Sequence, residues 1–210
     1  MKEPIILVGG GGHCISAIDV IESSGRFEIV GIVDVQEKVG GKVLGYPVIG
    51  TDEHIPVFVR DCQYFHIATG QIRSSVLRER LFNLVLDAGG TCPAIVSAHA
   101  YVSKYAKIND GTIVMHWALI NANAEIGKCS IVNSKALLEH EVRIGAFSHI
   151  STGAIINGQA VVGDRCFVGS NAVIANNISI ASEAIVGAGS VVVKDIDYKG
   201  IYAGNPVRKK

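Results

Sequence analysis

Hydrophobic positions in the second half of the chain repeat every six residues. From Val96 to Val192, seventeen successive positions at this interval hold Val, Ile or Leu, with no slip or insertion. The fourth residue after each is mostly Ala, Ser or Thr, and Gly often follows the aliphatic residue directly. This period fits neither an α-helix nor an alternating strand, but it is typical of a parallel β-helix.

The repeat predicts a triangular prism in which each six-residue unit is one short strand and a turn. Three units make a coil, so the region holds roughly five coils spaced by the ~4.8 Å between neighbouring strands. Aliphatic side chains fill the axis, and small residues fit where the walls converge. Asn123, Asn157 and Asn177 are predicted at corners that need left-handed backbone angles.

The first half alternates between strand and helix patterns. We predict strands at residues 4–10, 27–34 and 64–70, and helices at residues 14–25 and 71–89. This alternation indicates a short parallel sheet and a Rossmann-like α/β domain. The sequence therefore predicts a small α/β domain at 1–92 and a β-helix domain at 93–210.

Composition narrows the possible classes of protein. The formal net charge is zero, with 19 basic and 19 acidic residues, so no basic field for nucleic acid is present. No apolar run reaches the 18 or more residues of a membrane span, and the first apolar run is too short for a signal peptide. We expect a cytoplasmic protein that neither binds nucleic acid nor inserts into a membrane.

The five cysteines are odd in number, widely spaced and without a C-x-x-C pair. This pattern favours small buried hydrophobes over disulfides or structural zinc. Cys14 differs from the others because it directly follows the glycine run.

The glycine run Gly9–Gly12 follows the first predicted strand. Open α/β sheets bind ligands at this edge, and a helix N-terminus there can hold a phosphate. The G-x-G-x-x-G pattern is incomplete, since Cys14 or Ile15 stands where its last Gly belongs, so a smaller nucleotide is favoured over a dinucleotide. A tight turn without ligand is the alternative. Asp34, at the end of the second strand, can accept a hydrogen bond from a ribose or base, or be a solvated carboxylate.

Residues 138–149, "LEHEVRIGAFSH", interrupt the small apolar repeats with His140, Glu141 and His149. Histidine is suited to act as a general base near neutral pH, and a neighbouring carboxylate can support that role. Adjacent residues point oppositely on a straight strand, but a prism corner next to the axial Leu138 can bring His140 and Glu141 together. A solvated corner histidine is the competing interpretation. We interpret the remaining candidates as packing or solvent-facing residues: His54, His66, His99, His116 and Glu139.

Motifs from both halves resemble one family. "GGGGH", "VD" and "IATG", then "NSKALLEHEVRIGAFSHISTGA" and "AGNPV", resemble the hexapeptide-repeat nucleotide-sugar acetyltransferases across the whole chain. The most similar type acts on UDP-linked 4-amino-4,6-dideoxy sugars in the bacillosamine pathway, and sialic acid O-acetyltransferases are near relatives. The resemblance implies a left-handed β-helix, acetyl-CoA as the acyl donor and no metal.

The resemblance also implies residue roles. His140 would accept the proton of the incoming amine, and Glu141 would raise its basicity. The residues implied to hold the nucleotide sugar are Gly11, Gly12, His13, Val33, Asp34 and Gly70. Those implied to contact acetyl-CoA are His149, near the thioester, and Ser170 and Ala188, along the pantetheine. Val35 stands where relatives often have an acidic residue, which leaves the nucleotide base open.

The spacing of the two histidines bears on assembly. His140 and His149 are nine residues apart, which is half of one coil, so within one prism they should face nearly opposite sides. If both serve one site, neighbouring subunits must supply them, which predicts a homotrimer. Three other functions stay open. One is an O-acetyltransferase acting on a sialic-acid-type sugar, and another is a non-catalytic nucleotide-sugar sensor or scaffold. The third is a zinc hydratase of the γ-carbonic anhydrase type using His116, His140 and His149, whose spacing fits that family poorly.

Overall fold

A computed structural model describes residues 2–210 of the chain. The described residues form two compact units. One unit comprises the residues up to Gly70 together with 76–98, and the other comprises 71–75 together with 99–210.

The first unit is built on a five-stranded sheet. Its strands are β1 (Glu3–Val8), β2 (Phe27–Val33), β3 (Lys42–Val43), β4 (Tyr46–Gly50) and β5 (Tyr64–Ile67). They lie in the order β3-β4-β2-β1-β5. Its helices are α1 (Gly12–Ser24), α2 (Ile55–Phe58) and α3 (Val76–Asp87), with 3-10 turns at Gln36–Lys38 and Asp52–His54. The strands pair in parallel except for β3, which is antiparallel to β4. The predicted Rossmann-like fold is confirmed.

Two parts of this unit differ from the sequence prediction. The β3–β4 hairpin was not predicted, because β3 is only two residues long; its turn has positive φ at Leu44 and Gly45. The second long helix begins at Val76 rather than at residue 71. Residues 71–75 belong to the other unit, where the side chain of Gln71 donates a hydrogen bond to the carbonyl oxygen of Phe147.

The second unit is a left-handed parallel β-helix, as predicted. Sheets of its strands run along three walls, and residues 18 apart pair in register, as Leu119 does with Leu137. One wall comprises β6 (Ile95–Val96), β9 (Ile113–Val114), β12 (Ile131–Val132), β15 (His149–Ile150), β18 (Phe167–Val168), β21 (Ala184–Val186), β23 (Gly200–Ala203) and β24 (Arg208–Lys209). The second wall comprises β7 (Tyr101–Val102), β10 (Leu119–Ile120), β13 (Leu137–Leu138), β16 (Ile155–Ile156), β19 (Val173–Ile174) and β22 (Val191–Val192). The third wall comprises β8 (Lys107–Ile108), β11 (Glu125–Ile126), β14 (Arg143–Ile144), β17 (Val161–Val162) and β20 (Ser179–Ile180).

The corners of the prism follow one rule. From the axial Ile108 to the axial Val186, the third residue after each axial aliphatic has a left-handed backbone, whether it is Asn123 (φ 60°), Glu141 (φ 60°) or Asn177 (φ 60°). Asn157 was predicted at such a position and is not there. It comes directly after the axial Ile156, and its side chain donates a hydrogen bond to the carbonyl oxygen of Ile174 in the next coil. Coil geometry therefore imposes the left-handed angle even on residues that rarely adopt it.

Candidate active site

At each of the first two positions of the glycine run, the local structure explains why the residue is glycine. Gly9 has φ +103°, a region that favours glycine. At Gly10, a Cβ atom would lie 2.6 Å from the Oδ2 atom of Asp34, and the Gly10 N–H donates to that oxygen at 2.9 Å. These two glycines therefore shape the turn at the end of β1.

The local structure does not require glycine at Gly11 or Gly12. A Cβ atom added at either would meet no heavy atom within 4 Å. Gly11 is the N-cap of α1, without a side-chain hydrogen bond, and no acidic residue lies in the first turn. His13 follows in that turn, and a Cβ on Gly70 would lie 3.4 Å from the Cβ of His13. The helix N-terminus is thus open on this side, as an approaching anion would require.

Asp34 is held in place rather than solvated. Its carboxylate accepts hydrogen bonds from the backbone N–H of Gly10 and of Val35, and from Lys38 Nζ at 2.7 Å. Burial acts to raise the pKa of Asp34, but the hydrogen bonds from Lys38, Val35 and Gly10 outweigh it and lower the pKa below its usual value. The carboxylate is therefore charged and joins the glycine run to Lys38.

A cleft of about 110 Å³ lies at the same edge of the sheet. Apolar side chains line much of it, including Val33 and Val35, and Asp34 also borders it. The ion pair between Arg80 Nη2 and Asp52 Oδ2, 2.8 Å apart, lies among its lining residues. The cleft thus combines apolar walls with a few polar groups, as small-molecule sites usually do.

A buried arginine supports the turn that bears Gly70. Arg78 is 1% exposed, and its Nη1 donates to the carbonyl oxygens of Ile67 and Thr69, at 2.6 and 2.7 Å. His66 lies in β5, the strand that contains Ile67, and its side chain is fully buried. Burial drives the pKa of His66 well below its usual value, and the nearby charges of Arg78 and His13 lower it further.

This buried histidine predicts a loss of stability in mild acid. The unfolded chain binds a proton near pH 6.5 and the folded chain does not, so stability falls as the pH drops below that value. Between pH 7.5 and pH 5.5 we expect His66 to contribute a loss of about 1.4 kcal/mol in the free energy of unfolding. Denaturant titrations at both pH values would measure it. The loss of stability should shrink in His66→Leu. It should persist in His99→Gln, the control variant, which changes an exposed histidine. An equal pH dependence of stability in the wild-type protein and both variants would contradict the role of His66.

His140 and Glu141 meet at a corner of the β-helix. The left-handed backbone of Glu141 turns its carboxylate towards the preceding ring, and Oε2 lies 3.3 Å from His140 Nδ1. Gln159, one coil further on, donates to the same carboxylate oxygen at 2.9 Å. The hydrogen bonds from Gln159 and His140 hold the pKa of Glu141 below its usual value. The carboxylate therefore orients the imidazole through Nδ1 and leaves Nε2 available.

His149 lies on another part of the same coil, as the first residue of β15. It is 7% exposed. Its Nδ1 lies 2.7 Å from the carbonyl oxygen of Gln71, so Nδ1 carries the proton; Nε2 lies 3.1 Å from Asn133 Nδ2 and accepts from that amide. A direct contact of the ring nitrogens with acetyl-CoA would need one of these bonds to be exchanged. The ring also packs edge-on against Phe167.

Ser170 and Ala188 stack at one corner, as their spacing requires. The N–H of Gly189 donates to the Ser170 carbonyl oxygen, which joins the two coils. Ser170 Oγ lies 3.0 Å from Ser151 Oγ, and Ala188 is exposed. His116, at the same kind of turn position, instead packs near His99.

Within residues 2–210, neither the cysteines nor possible metal ligands form a further reactive or metal-binding site. All five cysteines are free and buried, and burial is the main cause that raises the pKa of Cys14 to about 12. Cys14 is therefore a neutral, unreactive thiol at physiological pH. Within residues 2–210, no group of three His, Cys, Asp or Glu side chains is placed to hold a metal ion. No helix in that range is long and apolar enough to cross a membrane.

The tertiary structure adds residues that sequence reasoning missed. Gln159 is an ordinary corner residue of the repeat, Asn133 directly follows the axial Val132, and Lys38 and Arg78 lie outside any motif. The 18-residue coil period would have placed Gln159 beside Glu141, so this contact had a usable signal. The contacts of Asn133, Lys38 and Arg78 follow from side-chain positions that no spacing specifies.

Comparisons with known proteins fit this geometry. Residues 4–85 match the family model described as the PglD N-terminal domain. No curated protein sequence matches the chain. One similar solved structure is that of a histidine-to-asparagine mutant of perosamine N-acetyltransferase from Caulobacter crescentus, in complex with CoA and GDP-perosamine. Its sequence is 30% identical to this chain, and the TM-score is 0.92. The match covers 100% of this chain and 98% of that one.

Two further solved structures are similar over their whole length. The acetyltransferase domain of PglB from Neisseria gonorrhoeae, in complex with acetyl coenzyme A, is 28% identical with a TM-score of 0.93, and both chains are covered to 100%. WeeI from Acinetobacter baumannii is 25% identical with a TM-score of 0.85 and the same coverage. The chain belongs to the hexapeptide-repeat family of nucleotide-sugar N-acetyltransferases.

Proposed function

We propose that this protein transfers an acetyl group from acetyl-CoA to the 4-amino group of a UDP-linked 4-amino-4,6-dideoxy sugar, in bacterial glycan biosynthesis. Family membership supports the reaction class, and the relatives solved with acetyl coenzyme A or with CoA support the donor. The relative solved with GDP-perosamine supports a nucleotide-sugar acceptor. The observation that carries the proposal is the chain of contacts from Gln159 through Glu141 to His140.

In this mechanism His140 is the general base. The amine nitrogen attacks the thioester carbonyl while His140 Nε2 takes its proton; a C–N bond forms, the C–S bond breaks, and the leaving thiolate takes up a proton. The charged Glu141 stabilises the imidazolium, and Gln159 fixes the Glu141 carboxylate. No covalent enzyme intermediate is needed, because the thioester is already activated.

We place the two substrates at the regions described above. The open N-terminus of α1, with Gly11, Gly12 and His13, is the proposed phosphate site, and Val33, Asp34 and Gly70 border the nucleoside part. Lys38 already forms an ion pair with the Asp34 carboxylate. We therefore expect Lys38 to bind a phosphate only while it also keeps this ion pair. For acetyl-CoA, the exposed corner at Ser170 and Ala188 is the proposed pantetheine track, and His149 acts near the thioester by fixing the Asn133 amide.

We also propose a homotrimer with shared sites. His140 lies in the turn between β13 and β14, whereas His149 begins β15, on a different part of the prism. One site that uses both residues would draw them from neighbouring subunits, which a closed threefold assembly provides. Light scattering should give three times the 22.2 kDa monomer mass. A fully active monomer would contradict the shared site.

The proposed reaction is tested with a panel of acceptors. UDP-, dTDP- and GDP-linked 4-amino-4,6-dideoxy sugars would each be incubated with acetyl-CoA, and release of the CoA thiol would be followed. We expect the highest kcat/KM with a UDP-linked amino sugar and no release with the matching 4-hydroxy sugars. A faster reaction with a GDP- or dTDP-linked sugar would overturn the nucleotide assignment alone. Transfer to a hydroxyl of a sialic-acid-type sugar, without transfer to amines, would overturn the N-acetyltransferase assignment.

A further inference from the structure

Three residues spaced by one coil lie in a column at the corner that bears His140. They are His140, Gly158 and Asn176. Their coils are joined by backbone hydrogen bonds, from Gln159 N to the His140 carbonyl oxygen (3.0 Å) and from Asn177 N to the Gly158 carbonyl oxygen (3.1 Å). Successive members of the column are therefore separated by the ~4.8 Å spacing of neighbouring strands.

Gly158 lies beneath the His140 ring. A Cβ atom at Gly158 would be 2.6 Å from His140 Nε2 and 2.7 Å from Cε1. Gly158 is buried although it occupies a turn, and its φ is not positive, so the backbone does not require glycine there. The edge of the ring that occupies this space carries Nε2, the nitrogen that does not face Glu141.

The chain itself shows that alanine fits this turn position. The same position, two residues after an axial aliphatic, holds alanine at Ala122, Ala146 and Ala188. Ala122 even belongs to the same column, one coil before His140. The backbone conformation thus tolerates a Cβ, and the reason for glycine at Gly158 is the imidazole that lies against it.

Asn176 borders the same small region from the other side. Its Nδ2 atom would lie 3.3 Å from a Cβ at Gly158, so this amide and His140 Nε2 both lie within 3.3 Å of one point. Asn176 is exposed, and among residues 2–210 its side-chain amide has no hydrogen-bond partner. A polar side chain that is held beside Nε2 without an internal partner is suited to bind whatever molecule Nε2 acts on.

We propose that Asn176 binds the acceptor sugar by a hydrogen bond, and that Gly158 provides the space in which His140 Nε2 and the Asn176 amide face the same acceptor. The proposal rests on the proposed function for the identity of that acceptor. Asn176 is then a binding residue of the acceptor site, and Gly158 is a positioning residue that acts through the His140 ring.

The test for Asn176 is a separation of kinetic constants. Asn176→Ala should raise the KM for the amino sugar about 3- to 10-fold, the usual effect of losing one hydrogen bond, and should leave the KM for acetyl-CoA unchanged. Ser182→Ala, at the same turn position of a different corner, should change neither constant. An unchanged sugar KM, or an equal rise in both KM values, would overturn the role of Asn176.

The test for Gly158 uses a double-mutant cycle. Gly158→Ala should displace the ring and lower kcat at least about tenfold, yet have no effect in a His140→Ala background, because the ring is then absent. Ala122→Gly serves as the matched control in the same column. If Gly158→Ala lowers kcat equally in both backgrounds, it does not act through His140, and the proposal is wrong.

A readout without turnover separates this inference from the proposed function. With 13C-labelled histidine, the Cε1 resonance of His140, assigned by its loss in His140→Ala, should shift in Gly158→Ala and stay in place in Ala122→Gly. An unshifted resonance in Gly158→Ala would overturn the contact itself. A shifted resonance in a protein that acetylates none of the panel sugars would support the contact and overturn the proposed function.

Discussion

Replacement of His140 by alanine is expected to lower kcat by roughly 10²–10⁴, the usual cost of losing a general base. The β-helix should survive, because the side chain is exposed at a corner and adds little to the buried axis. Thermal unfolding of the variant should therefore match the unchanged protein. Single-turnover measurements with saturating acetyl-CoA and amino sugar would give the rate of the chemical step directly.

The pH dependence provides a second check on this base. Raising the pH should partly restore the activity of His140→Ala, since more of the sugar amine is then already neutral. Glu141→Ala should cost less than His140→Ala, because the imidazole keeps some basicity without its partner. Glu139→Ala is the control: it removes the neighbouring carboxylate, which accepts hydrogen bonds from the Asn121 amide and the His140 backbone N–H but not from the imidazole ring. Near-normal kcat in His140→Ala at neutral pH would mean that His140 is a solvated corner residue.

Gly12→Val is expected to raise the KM for the nucleotide sugar by roughly tenfold or more and leave the KM for acetyl-CoA nearly unchanged. A Cβ at Gly12 meets nothing within the described chain, so the variant should fold, and the added side chain would occupy the space proposed for the phosphates. Each tenfold corresponds to about 1.4 kcal/mol of lost binding. Steady-state kinetics with each substrate varied in turn would measure the effect.

Gly10→Val gives an instructive contrast to Gly12→Val. A Cβ there would lie 2.6 Å from the Asp34 carboxylate oxygen, so the main effect should be on the stability of the first unit. If Gly12→Val weakened both substrates equally, or lowered the thermal midpoint as much as Gly10→Val, the glycine run would be a structural turn without a phosphate.

Much of the β-helix could be predicted from the sequence because its period is local and repeated. Each aliphatic residue at the six-residue interval reaches the axis whatever the rest of the chain does, and pairing at a separation of 18 follows from three units per coil. The alternation of strands and helices in the first unit could also be recognised from the sequence. The left-handed angle falls at a fixed place in the period, three residues after the axial aliphatic, whatever residue stands there. The type of residue was therefore a poor guide: Asn157 lies elsewhere in its repeat, and Glu141 takes the angle without being Asn or Gly.

The candidate site shows where the sequence stops determining the structure. Residues 138–149 located His140 and Glu141 by chemistry alone, but their contact depends on the left-handed backbone of Glu141. Only the fold brings the Gln71 carbonyl to His149, 78 residues away in sequence. Likewise, only the fold makes the Asp34 carboxylate a partner of Gly10 and Lys38. A repeat fixes backbone register because every coil presents the same geometry, whereas hydrogen bonds between distant side chains depend on rotamers and packing that arise once, in the folded chain.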